Sequence, residues 1–163
     1  ASHFETRALF ATSKDGTRVP YFLTRRRGAP EDGSCPALMY GYGGFSISVL
    51  PAYRPDVPAW LERGGVFISV NMRGGAEYGE AWHKAGTLGQ KQNVFDDFIA
   101  AAEYLVREGW TSPERLAVHG GSNGGANGSE FRRQPHQRQF RAAQNGLQPV
   151  VEFVRDAAGQ ASN

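Results

Sequence analysis

Runs of apolar positions with strand-like and helix-like spacing alternate along this chain, and the breaks between them are rich in glycine. Arg7 to Ser13 and Arg18 to Thr24 are strand-like, and Lys14-Asp15-Gly16-Thr17 separates them. Asp-Gly between two such runs predicts a hairpin, because glycine accepts the positive φ that a tight turn needs. Arg25 to Ser34 is polar and rich in Gly and Pro, so a loop is expected there, with Arg25-Arg26-Arg27 solvated. Pro36 to Tyr40 is a short apolar strand that runs into Gly41-Tyr42-Gly43-Gly44-Phe45. Pro55 to Arg63 reads as a short helix stopped by Gly64-Gly65. Val66 to Asn71 is a continuous apolar run, as in a strand covered on both faces, and it ends in the loop Arg73-Gly74-Gly75.

The clearest helix is predicted from Asn93 to Glu108. Asn93 is its expected cap, Asp96 and Asp97 favour the positive end of the helix dipole, and Gly109 supplies the stop. Val94, Phe98, Ile99, Ala102, Leu105 and Val106 recur at helical spacing and form one apolar face. Arg115 to His119 is a last strand. Strands alternating with helices, each strand ending in a glycine loop, predict a mostly parallel α/β sheet. Chemistry in such sheets gathers beyond the carboxyl ends of the strands.

Directly after that last strand stands Gly120-Gly121-Ser122-Asn123-Gly124. The spacing G-x-S-x-G has a steric cause: a serine on a sharp strand-to-helix turn needs glycines on either side so that strand and helix can pass closely. The turn lifts the Ser122 oxygen above the sheet. It also sets the Asn123 N–H at a helix start, where it can donate to a developing oxyanion. A second donor comes from a loop earlier in such a sheet, and the Tyr42 loop is its natural source. Packing of Tyr42 and Phe45 over the sheet edge explains those residues equally well.

Bulk properties narrow the function classes. A chain of 163 residues fits one domain that buries roughly 70% of its unfolded surface. A net charge of +2 is too mild for nucleic-acid binding. The single cysteine, Cys35, allows no internal disulfide framework and no CxxC metal or redox motif. No apolar run approaches membrane-spanning length, and the first residues have neither the basic start nor the apolar core of a signal peptide. A cytoplasmic location is expected, with the periplasm as the alternative. No GxGxxG or P-loop pattern is present.

Four motifs in order resemble the catalytic domain of the prolyl oligopeptidase (prolyl endopeptidase) family. They are Tyr40-Gly41-Tyr42-Gly43-Gly44-Phe45, Asn71-Met72-Arg73-Gly74-Gly75-Ala76-Glu77-Tyr78-Gly79, Trp82-His83-Lys84 and Gly120-Gly121-Ser122-Asn123-Gly124-Gly125. The resemblance covers about Phe4 to Gly125, and Asn123 and Phe45 favour the prolyl branch over the related oligopeptidase that cleaves after basic residues. It implies a partial α/β-hydrolase sheet with an N-terminal β-hairpin, lacking the C-terminal half of the fold. By the same resemblance Ser122 is the nucleophile, the Tyr42 hydroxyl and the Asn123 N–H form the oxyanion hole, and Phe45 walls the pocket for proline. The implied reaction is hydrolysis of short peptides after proline through an acyl-enzyme, with no cofactor and no metal. The implied partners are short proline-containing peptides, with neither nucleic acid nor membrane. The family's β-propeller and the rest of its catalytic domain are missing from this stretch.

After Gly125 the composition breaks. Residues 126–163 carry five arginines against Glu130, Glu152 and Asp156, have no lysine, and place Pro135 where a helix interior is expected. Residues 1–125 are therefore read as the N-terminal part of the peptidase domain. Residues 126–163 are read as a non-homologous tail, from a frameshift or from a vector junction encoding Gly128-Ser129-Glu130-Phe131, with a natural divergent tail as the alternative. Only Val150 to Ala158 looks helical there. The expected triad order is serine, acid, histidine. After Ser122 the only histidine is His136 and the only aspartate, Asp156, lies beyond it, so neither is assigned to a triad.

His119 is read as a packing residue, His83 as part of a structural motif, and His3 lies in the opening segment. Glu77 and the Asp96-Asp97 pair are not read as acid/base carboxylates. Asn127-Gly128-Ser129 matches a glycosylation acceptor by chance. The expected product is thus a serine peptidase piece that is inactive alone. Another α/β-hydrolase (an esterase or aminoacyl-peptidase) and a non-catalytic interaction fragment are the alternatives. Without later strands, the strand before Ser122 should leave an exposed apolar edge and poor behaviour in solution.

Overall fold

The computed structural model describes residues 3–52, 54–120, 140–141 and 150–154. Strands β1 (Phe4–Thr12) and β2 (Arg18–Arg26) form the expected hairpin, in register from Phe4↔Arg26 to Thr12↔Arg18, with Gly16 at φ +86° in the turn. Both strands extend beyond the alternating core of the prediction. The expected solvated loop at Arg25 is therefore corrected. Arg25 belongs to β2 and is only 3% exposed, because Glu5 accepts its Nε–H at 2.8 Å and its guanidinium stacks 4.7 Å above the Trp110 ring.

Next come β3 (Ala37–Gly41), α1 (Asp56–Glu62), β4 (Val66–Val70), α2 (Gly79–Lys84), α3 (Gln92–Arg107) and β5 (Leu116–Gly120). All five residues of β4 are buried, as its unbroken apolar run requires. Helix α2 has no counterpart in the sequence reading, since its six residues GEAWHK carry no apolar stripe. Helix α3 starts one residue before the predicted cap. Its N-cap is Lys91 with no side-chain cap bond, and Asn93 instead donates its amide to Ala85 O and Gln90 Oε1. Asp97 is also corrected: it lies fully buried on the inner face of α3 and binds Arg73, so dipole electrostatics does not account for it.

The strands form one sheet in the order β1-β2-β4-β3-β5-β7-β6, where β6 is Phe140–Arg141 and β7 is Val150–Val154. Only the central pairs β4–β3 and β3–β5 are parallel, and the others are antiparallel, so the sheet is mixed rather than mostly parallel. The expected helix over 150–158 is a strand over 150–154. Its sequence Val-Val-Glu-Phe-Val is rich in β-branched and aromatic residues, and a strand edge stood open beside β5. Pairing from Gly120↔Val150 to Ala117↔Phe153 covers that edge, which corrects the expected bare β5 edge.

One face of the sheet packs against α3. Tyr21, Leu23, Met39, Ile68, Val70, Leu116 and Val118 meet Val94, Phe98 and Leu105 in a continuous core. Full burial of each such side chain contributes roughly 1.5–3 kcal/mol. The opposite face carries α1 and a cavity of about 780 Å³ walled by Phe22, Phe67, Leu61, Tyr40 and Leu50.

Candidate active site

The parallel pairing of β3 with β5 decides where the site forms. Tyr40 stands opposite His119, so both strands point their carboxyl ends the same way, about 4.8 Å apart. From that end β3 leads into Tyr42-Gly43-Gly44-Phe45, and β5 ends at Gly120. Ser122 and Asn123, and the Asn127 glycosylation match, lie outside the described residues.

The Tyr42 loop is shaped by close backbone packing. Gly43 has φ +56°, and a Cβ there would strike Val94 Cγ1. Gly74 has φ +91°, and its Cβ would fall 2.8 Å from Gly43 O. These two glycines let the two glycine loops lie directly on one another. Tyr42 is half-buried at the root of the loop, while Phe45 is 73% exposed at its tip. Phe45 and Ser46 both adopt the left-handed region, at φ 52° and 54°, which costs non-glycine residues on the order of 1–2 kcal/mol each.

The segment after β4 supports this strained tip. Gly74 O accepts the Ser46 N–H at 3.3 Å, and the His83 Nδ1 lies 2.7 Å from the same oxygen. Trp82 donates its Nε1–H to Met72 O at 3.1 Å, and its carbonyl accepts the Gly74 N–H at 3.0 Å. His83 is therefore a brace for the loop platform. Lys91 Nζ donates to Gly43 O at 3.0 Å. Glu77 Oε1 accepts the Val49 N–H at 2.8 Å and an Asn71 Nδ2 hydrogen at 3.0 Å, so it braces the same loop from its far side. Sequence reasoning gave no role to Lys91 or Asn71, because each holds a backbone carbonyl distant in the chain, Gly43 O and Val49 O, which leaves no residue-type signal.

His119 sits on the α1 face of β5, with its ring 5.7 Å from that of Tyr40. Burial pushes its imidazole below the ordinary value, the Arg54 charge adds to this, and Asp56 opposes it. Its Nδ1 is buried without a hydrogen-bond partner among the described residues. These surroundings are those of a packing residue. The 780 Å³ cavity shares this face; Val49 and Leu50, at the downstream end of the loop, line it, while Tyr42 and Phe45 do not. Among the described residues no three His, Cys, Asp or Glu side chains gather as a metal site, and no helix is long and apolar enough to cross a membrane.

Tyr42, just beyond β3, and Gly120, the last residue of the parallel neighbour β5, thus lie at the same end of the sheet. The profile of the prolyl oligopeptidase family matches residues 51–157. A prolyl endopeptidase of Elizabethkingia meningoseptica is 48% identical over 123 residues, which is 76% of this chain and 17% of that protein. Prolyl oligopeptidase A of Amanita bisporigera is 38% identical over 161 residues, covering 97% of this chain and 21% of that protein. The structure of a post-proline cleaving enzyme from Rickettsia typhi superimposes with a TM-score of 0.80 at 36% identity, over 83% of this chain and 20% of that one. This chain thus spans about a fifth of the length of the relatives it matches.

Proposed function

Because the chain belongs to the prolyl oligopeptidase family of peptidases, we propose that it supplies the nucleophile and oxyanion donors of a serine endopeptidase that cleaves short peptides after proline. Ser122 Oγ attacks the scissile carbonyl carbon. The carbonyl oxygen takes up negative charge between the Tyr42 hydroxyl and the Asn123 N–H. Collapse of that adduct expels the amine and leaves an acyl-enzyme, which water then hydrolyses. Phe45, exposed at the loop tip, offers an apolar wall for the proline ring. The observation that carries this reading is the parallel β3–β5 pairing, which brings Tyr42 and Gly120, two residues before Ser122, to one end of the sheet.

The Ser122 proton needs a base and the base needs an orienting acid. His136 and Asp156 stand in the wrong order after the serine, so this stretch alone retains only the assistance that an oxyanion hole gives. In the full-length protein, the remaining catalytic domain supplies the acid and base and a propeller limits substrate size.

Labelling with a fluorophosphonate probe tests the assignment. Slow modification confined to Ser122, abolished by Ser122→Ala and slowed about 100-fold by Tyr42→Phe, is the expected result. Rapid labelling would show that a base is present after all. Labelling that spares Ser122 would remove it as the nucleophile. Comparing a proline-containing acyl substrate with a simple ester then separates a peptidase from an esterase.

A further inference from the structure

The loop from Tyr42 to Ser46 carries two consecutive non-glycine residues at positive φ, Phe45 and Ser46, and such strain persists only where the surroundings over-determine it. Upstream, the loop leaves β3 at Gly41, and Lys91 holds Gly43 O. Downstream, Val49 is gripped by both of its backbone polar groups. Glu77 Oε1 accepts its N–H at 2.8 Å, and Asn71 Nδ2 donates to its carbonyl at 2.6 Å. The two side chains are joined to each other by the 3.0 Å bond from Asn71 Nδ2 to Glu77 Oε1. Asn71 is 2% exposed, so this bond set is shielded from water. Gly75 is part of the arrangement, because a Cβ there would collide with Glu77 Oε2.

We infer that Asn71 and Glu77 are positioning residues: they clamp Val49 and thereby hold the strained Phe45–Ser46 turn, and Tyr42 with it, in the geometry the oxyanion and proline contacts require. The clamp itself is a matter of loop geometry, while its consequence for the reaction rests on the reading of Tyr42 and Phe45 given above. Neither side chain touches the reacting atoms. Their effect passes through the backbone of residues 45–49. Without the clamp, Phe45 and Ser46 relax toward negative φ, and the loop tip swings away from its seat on Gly74.

The test uses the full 163-residue chain in four forms: unmodified, Glu77→Ala, Asn71→Ala and Glu77→Gln. Glutamine keeps an acceptor oxygen for Val49 and Asn71, so it is the rescuing variant. Hydrogen exchange is followed in residues 44–50 and, as an internal reference, in the β1–β2 hairpin. Each alanine variant should raise exchange in 44–50 by about tenfold or more, with the hairpin within about twofold of the unmodified chain. Glu77→Gln should stay near the unmodified chain. Equal acceleration in both segments, no acceleration in 44–50, or failure of glutamine to rescue would overturn the clamp.

The rate of Ser122 labelling by the fluorophosphonate is read on the same proteins. It should fall with both alanine variants and recover with glutamine. If loop exchange rises while labelling holds steady, the positioning role is wrong although the clamp exists. If the unmodified chain shows no labelling at Ser122 at all, the catalytic reading fails, and the exchange data still decide the clamp.

Discussion

Arg73 and Asp97 meet inside the protein as a two-pronged ion pair. Arg73 Nη2 donates to Asp97 Oδ1 at 2.6 Å and Nε to Oδ2 at 2.9 Å, while the Arg73 backbone N–H donates to the same carboxylate at 3.0 Å. The guanidinium also reaches Asp15 and Ser13 in the hairpin turn. A single side chain thus joins the loop after β4, helix α3 and the β1–β2 turn.

Removing one partner of a buried pair strands the other charge, at a cost of about 3–5 kcal/mol. Asp97→Ala should therefore lower stability by roughly that amount in urea unfolding. The double variant Asp97→Leu/Arg73→Met should lose much less than Asp97→Ala, because no charge is left buried. A double variant no more stable than Asp97→Ala would count against this account.

Asp15 gives the pair a pH signature. Its hydrogen bond to Arg73 holds the carboxyl down to about 2, against an ordinary value of 3.8. A depressed carboxylate stabilises the fold above its unfolded pKa, and that contribution is lost as pH falls through the folded value. Unfolding midpoints should drop between pH 3.8 and about 2, and Asp15→Asn should make the drop shallower. Asp15 is half exposed, so the change should be modest.

His119 acts at milder pH. Burial, helped by Arg54, keeps its imidazole below 6.5, so protons favour the unfolded chain. Its contribution is complete above pH 6.5 and declines as the pH falls below that value. His119→Leu removes both the titrating group and an Nδ1 that has no partner among the described residues. Its stability should be flatter below pH 6.5 than that of the unmodified chain, as read by thermal melts across the range.

Strand β7 covers the β5 edge, so solution behaviour should depend on it. Glu152 pairs with Val118 in the ladder, and proline there removes a backbone donor from the middle of a strand. Glu152→Pro should shift the chain toward larger species than the unmodified protein forms, as read by size-exclusion chromatography with light scattering. An unchanged elution profile would show that the β5–β7 pairing does not protect that edge.

The elements legible in the sequence were those with a local cause. Asp15-Gly16 marked the hairpin, the buried run Val66–Val70 marked β4, and the apolar stripe of α3 survived a misplaced cap. What sequence could not show depended on distant partners. The segment Val150–Val154 has an apolar run compatible with helix or strand, and pairing with β5 settles it as a strand. Arg25 looked solvated until Trp110 and Glu5 came to lie against it. Within the site, the glycine patterns singled out the Tyr42 and Gly74 loops, but their contact through Gly43 O is purely three-dimensional.

The central place of β3 sets an order of events for the growing chain. Ala37 has Val66 on one side and Leu116 on the other, so β3 gains its second neighbour only after α1, β4, α2 and α3 have all been synthesised. Such distant pairing is slow to find, and until it forms, Met39 belongs to a half-built core. Until Leu116 leaves the ribosome one edge of β3 therefore stays open to chaperones and proteases for a time set by the rate of synthesis, and mutations that hasten the docking of α3 on the hairpin should shorten only the exposure that follows.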